Sequence, residues 1–169
     1  MNRIARIATA AAAALVAFAV AAPGQALADG KPRWETAMVT VYVADAQAWG
    51  GTDVQAALAQ WSPALAMTIT DDPNADVTLT STHTRHDVEG ATAYRQGEGS
   101  RITSCRVELV DRFAGSDQTD VLTHELGHCL GLSHNNGGAS SVMYWIEGGE
   151  HFSPTVTATV LNNVRSLYR

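Results

Sequence analysis

The stretch HELGHCLGLSHNN, His124 to Asn136, constrains this chain more than any other segment, because it asks for a helix and then forbids that helix to continue. Residues on an α-helix advance about 100° each, so His124 and His128 differ by only about 40° and aim their rings at one point. His134 lies six residues beyond His128 and would sit roughly 100° off that face on a straight helix. Gly131 removes the conflict: a glycine there takes the left-handed conformation that ends a helix, and the turning chain brings His134 back toward the other two rings. The helix is therefore expected over Gln118–Leu130, capped by Ser116 or Asp117.

Three neutral imidazoles leave Zn²⁺ an open fourth position for water, the arrangement of a catalytic rather than a structural site. Glu125 is beside that position and is not needed as a ligand. It can accept the proton of the attacking water and hand it to a leaving amine. The expectation is one catalytic Zn²⁺ on His124, His128 and His134, with Glu125 as general base in hydrolysis of an acyl bond. The bland alternative is a chance His-Glu-x-x-His string on an ordinary helix, and the glycine-placed third histidine argues against it.

Cys129 follows His128 directly, yet its helical phase is about 120° from the metal direction, on the core side with Leu126. Cys105 lies in Ile102–Val110, an expected strand in which Thr103, Cys105, Val107 and Leu109 share the apolar face and Ser104, Arg106 and Glu108 the other. These two cysteines are the only ones in the chain, so one intramolecular bridge is possible. It would pin the histidine helix to the sheet if the two Cα atoms come within about 7 Å.

Such a bridge needs an oxidising compartment. Arg3 and Arg6, the apolar run Ala8 to Ala22 and the Ala26-Leu27-Ala28 tripeptide read as a secretory signal over residues 1–28, leaving 29–169 as one catalytic domain and the protein extracellular. The run is broken by Pro23 and Gly24 and is shorter than the roughly 20 residues that span a bilayer. Removing the signal takes away two arginines and no acid, so the formal charge of −6 falls to −8. That balance excludes nucleic-acid and anionic-membrane partners, which need a basic stripe. A monomer that meets protein or peptide substrates is expected.

Around the motif, Met38–Ala44, Met67–Thr70, Asp76–Ser81, Gly90–Tyr94 and Ile102–Val110 read as five strands. Thr52–Leu65 reads as a helix capped by Thr52, and Ser153-Pro154 opens a closing helix to about Tyr168. The class is α+β.

The string His-Glu-x-x-His-x-x-Gly-x-x-His resembles that of the metzincin zinc peptidases. Ser141-Val142-Met143-Tyr144, with Met143 nine residues after His134, is similar to their methionine turn. The Leu130–His134 run, the Met143-Tyr144 pair, Trp34, Trp61 and ADVTLTS resemble the matrixin branch. The resemblance implies a twisted five-stranded sheet with a backing helix, an active-site helix, a Met-turn and a C-terminal helix. It also implies a secreted zinc metalloendopeptidase that hydrolyses peptide bonds in proteins. On it, His124, His128 and His134 bind zinc, Glu125 is the base, Met143 is the floor beneath the metal and Tyr144 lies near the substrate pocket, with Trp145 one position later.

The chain also departs from that pattern. No cysteine precedes Cys105 to serve a thiol-switch pro-domain, and Thr92 stands where the family has an edge-strand histidine. His83 and His86 read as a solvated loop pair rather than a structural zinc site, His151 as a surface residue, and Asp71, Asp72 and Asp76 as at most a weak calcium site. The alternative from another class is a catalytically inactive zinc-bearing binding protein using the same cleft. Retention of Glu125 speaks against it, since a binder needs only the ligands.

Overall fold

The computed structural model describes residues 31–44, 53–82, 90–110, 116–134, 140–144 and 155–168. Residues 1–28, Thr52, His83, His86, Trp145, His151, Ser153 and Pro154 lie outside the described residues. In chain order the elements are β1 (Met38–Val43), α1 (Val54–Trp61), β2 (Ala66–Thr70), β3 (Val77–Thr82), β4 (Gly90–Gln96), β5 (Ile102–Val110), α2 (Ser116–Cys129) and α3 (Ala158–Leu167). The fold is α+β, with a five-stranded mixed sheet and three α-helices.

The strand order is β2-β1-β3-β5-β4. Four strands run parallel and β4 pairs antiparallel with β5 at the edge. Alternation of β-branched and small polar residues sets the two faces of the sheet. Val39, Val41, Val77, Leu79, Cys105, Val107 and Leu109 are buried on one face, while Thr40, Tyr42, Thr78 and Thr80 are only half-buried on the other. On the buried side lie Leu122, Leu126 and Leu130 of the histidine helix and Trp61 of α1, all within the same core cluster.

Thr103 departs from the expected face. It is exposed, whereas Ile102 is buried. The cause is a bulge: Gln96 pairs with Ile102 and Arg95 with Ser104, so Thr103 is an extra residue and the alternation restarts after it.

Element ends also shift. Helix α1 begins after Asp53, whose carboxylate accepts the Ala56 N–H at 2.8 Å, so Asp53 is the cap in place of Thr52. It ends at Trp61 rather than Leu65: Ser62 keeps helical angles, but Pro63 has no N–H to offer the Ala59 carbonyl, which accepts the Ser62 hydroxyl at 2.8 Å instead. Helix α2 begins at Ser116, so both expected capping residues, Ser116 and Asp117, lie inside it. Helix α3 starts at Ala158 with Thr157 as its cap, and Thr155 to Thr157 are not helical, so the closing helix is shorter than the sequence suggested. Asp76 is not grouped with Asp71 and Asp72; its carboxylate accepts the Thr40 N–H and hydroxyl, both at 2.8 Å, and extends the β1–β3 ladder.

The expected bridge is present. Cys105 of β5 and Cys129 at the end of α2 form a disulfide with Cα atoms 5.7 Å apart. It ties the last turn of the histidine helix to the middle of the sheet. Two tryptophans add polar anchors to the same helix: Trp34 Nε1 donates to the Cys129 carbonyl at 2.8 Å, and Trp61 Nε1 to the Thr123 carbonyl at 3.1 Å.

Replacing both cysteines, Cys105→Ala with Cys129→Ala, is expected to lower unfolding free energy by about 3 kcal/mol, from loop-closure entropy over the 24-residue separation. Urea unfolding of the purified variant, read as a lower midpoint, checks this.

Candidate metal centre

Helix α2 ends as the Gly131 geometry requires. Gly131 has φ +85°, its N–H donates to the His128 carbonyl at 2.9 Å, and the Leu132 N–H donates to the Gly127 carbonyl at 3.1 Å. That pair of bonds is the Schellman termination. Glycine is needed here twice over, because a Cβ would also lie 1.9 Å from the Pro32 carbonyl oxygen. The N-terminal arm thus presses against the turn that redirects the chain.

The turn brings the three histidines together. Nε2 of His128 lies 3.1 Å from Nε2 of His124 and 3.2 Å from Nε2 of His134. Among the described residues these three form the group of His, Cys, Asp and Glu side chains that could hold a metal ion. The other ring nitrogens fix the tautomers. Nδ1 of His124 is 2.6 Å from the Val142 carbonyl oxygen and Nδ1 of His128 is 2.8 Å from that of Leu132. A carbonyl only accepts, so each Nδ1 carries the proton and each Nε2 turns a lone pair toward its neighbours. Lone pairs at such distances repel unless a cation lies between them. Tetrahedral metal–nitrogen bonds of about 2.0–2.1 Å place ligand nitrogens about 3.3–3.4 Å apart, close to the two distances from His128, and all three ligand atoms lie within 4.8 Å of one another. The donor set fits a metal ion.

The electrostatics agree with neutral rings. Burial, then the neighbouring His128, pushes the His124 pKa down to about 3. Burial also lowers His128 and His134, the latter with a contribution from His128. Glu125 goes the other way: burial raises it to about 7, partly offset by a hydrogen bond from Thr92. Thr92 Oγ1 lies 2.5 Å from Glu125 Oε2 and 3.1 Å from the Glu125 carbonyl oxygen.

Met143 is fully buried in a turn over Ser141 to Tyr144, closed by the Tyr144 N–H donating to the Ser141 carbonyl at 2.9 Å. Its sulfur sits so close to Gly127 that a Cβ there would be 2.3 Å away. Tyr144 is half-buried. The same turn supplies the Val142 carbonyl that orients His124, and Val142 N–H is held in turn by the Thr155 carbonyl at 2.9 Å.

The sequence placed the three histidines, Glu125 and the cysteines but missed their supports: Thr92 on Glu125, the Val142 and Leu132 carbonyls on the rings, and Pro32 against Gly131. One signal was legible for the Met143 contact. Gly127 in a helix interior costs about 1 kcal/mol relative to alanine and calls for a packing reason.

No family model matches the chain, and no curated protein matches it. Among solved structures it is similar to a chain of the "GM1 bound form of the ECX AB5 holotoxin", with TM-score 0.55 and 15% identity, over 78% of this chain and 80% of that one. At that identity the likeness gives the fold alone. The matrixin-like metzincin identification is corrected accordingly: the similar structure is described as a toxin, not as a matrixin. The activity that rested on it, a secreted zinc metalloendopeptidase cutting peptide bonds in proteins, is withdrawn with it.

Acid should unfold the metal-free protein. The His124 pKa is about 3 when folded and about 6.5 when unfolded, so the unfolded chain binds more protons between those values and stability falls as pH drops from about 6.5. Glu125, raised to about 7, opposes this with one proton against three imidazoles. Zn²⁺ at a hundredfold excess over its Kd is expected to add about 2.7 kcal/mol at pH 7.5, and much less at pH 5.5, where protons compete for the same nitrogens. Thermal melts with and without Zn²⁺ across pH 4.5–8 check both slopes. Gly127→Ala is expected to lower stability by about 1–3 kcal/mol through overpacking against Met143, measured by urea unfolding.

Proposed function

We propose that the chain is an exported metal-dependent hydrolase of an acyl bond, with Zn²⁺ held by His124, His128 and His134 and with Glu125 as general base. The observation that carries this reading is three convergent ring nitrogens with a buried carboxylate outside their group, carried on the same helix between His124 and His128. Imidazole nitrogens suit zinc, and three of them leave a coordination position open. When bound, the ion supplies a Lewis acid that acidifies water and polarises the substrate carbonyl. Glu125 takes one proton from the attacking water at a carboxylate oxygen and returns it to the leaving group as the acyl bond breaks.

Burial favours protonated Glu125, and a nearby cation restores its carboxylate form. On this reading Met143 is the apolar floor of the site, and Tyr144, next to it in the turn, lies near the substrate. Strand β4 is a sheet edge, suited to lying alongside an extended, peptide-like substrate. Export accords with the disulfide.

A second reading draws on the toxin likeness: a metal-bearing binding protein without turnover. Quenched-fluorescent peptide libraries separate the two. The hydrolase reading expects cleavage by Zn²⁺-loaded protein, loss with a chelator, recovery with added Zn²⁺, and a kcat lowered about 10²- to 10⁴-fold in Glu125→Gln with zinc still bound. Zinc binding without cleavage of any library member would leave the binding reading.

A further inference from the structure

We infer that Thr92 is the positioning residue of the general base, an inference that rests on the hydrolase reading above. Thr92 belongs to β4, which shares no sequence motif with the histidine helix, yet it pairs with Val107 of β5 and so projects to the buried side of the sheet where α2 lies. Its Oγ1 has one proton and two acceptors on the same residue: Glu125 Oε2 at 2.5 Å and the Glu125 carbonyl oxygen at 3.1 Å. One hydroxyl thus reads both the backbone and the carboxylate of Glu125.

The geometry limits where the carboxylate can go. Gly90, two residues before Thr92, approaches the same side chain so closely that a Cβ there would be 3.1 Å from Glu125 Cγ, and 2.9 Å from both Val121 and Leu109. The Glu125 stem is therefore confined against Gly90, and its Oε2 is fixed by Thr92. The remaining oxygen, Oε1, is left for the water. A general base must sit within hydrogen-bond reach of the proton it takes, and a carboxylate free to rotate spends part of its time out of reach. Threonine supports this better than a longer polar residue, because its branched Cβ holds few rotamers on a strand.

The position is chemically specific. A valine would keep the shape of Thr92 and lose only the hydroxyl, while a serine would keep the hydroxyl and lose only the methyl. The test uses the zinc-loaded full chain, its Thr92→Val and Thr92→Ser variants, and the same peptide substrate. Thr92→Val is expected to lower kcat about tenfold or more with KM and zinc Kd each within about twofold, and Thr92→Ser to return kcat to within about threefold of the parent.

Zinc Kd comes from competition with a chromophoric chelator. A further readout does not use turnover: in the cobalt-substituted protein, Thr92→Val is expected to move the pH midpoint of the visible spectrum while Thr92→Ser leaves it in place. Unchanged kcat and an unchanged cobalt midpoint in Thr92→Val would overturn the inference. So would a kcat loss that Thr92→Ser fails to restore, which would mark Thr92 as packing. A parent protein that binds zinc but cleaves nothing would overturn the hydrolase reading itself, a result distinct from either of these.

Discussion

The centre of this molecule depends on two hydrogen bonds that turn the Nε2 atoms of two histidines toward one point. By giving their Nδ1 protons to the carbonyls of Val142 and Leu132, His124 and His128 are held as neutral rings of one tautomer, with Nε2 turned inward. Burial reinforces this by making the charged imidazolium costly. The two carbonyls come from different places: Leu132 lies just past the glycine that ends the helix, and Val142 lies in the turn that carries Met143. Each ring is therefore oriented by a segment whose own conformation is fixed elsewhere, which is how outer partners set the geometry of a metal site.

Much of this was legible in the sequence, for reasons of periodicity. The spacing of His124, His128 and Gly131 dictated a bent helix end, and φ +85° at Gly131 realises it. Helical phase separated Cys129 from the histidines and strand phase put Cys105 on the apolar face, and the disulfide joins them. Phase counting failed where a bulge intervenes, at Thr103, and at helix ends, where Asp53 and Thr157 act as caps by side-chain geometry that neighbouring threonine or serine could equally have offered. It could not find Thr92, because the contact joins residues 33 apart through the antiparallel edge of the sheet. Nor could it assign the family: the motif suggested matrixins, and a similar solved structure is described as a toxin.

Three elements meet at the histidine helix by exploiting what its glycines lack. Gly127 admits the Met143 sulfur and the edge of the Trp61 ring, and Gly131 admits the Pro32 carbonyl. Side chains there would separate the helix from its supports. The cost in helix propensity is offset by closer packing and by the anchors from Trp34 and Trp61 to backbone carbonyls of the same helix.

The arm that carries Pro32 and Trp34 has a wider consequence. The Trp34 N–H donates to the Tyr168 hydroxyl at 3.3 Å across 134 residues of sequence, while Trp34 Nε1 holds the last turn of the histidine helix. Contacts of such separation form only after the intervening chain has been gathered in. A chain that folds as its residues are added thus presents its histidines before Tyr168 is available. The brace on the last turn of the histidine helix is completed only when that tyrosine arrives, so the helix end is among the last parts of the fold to be secured.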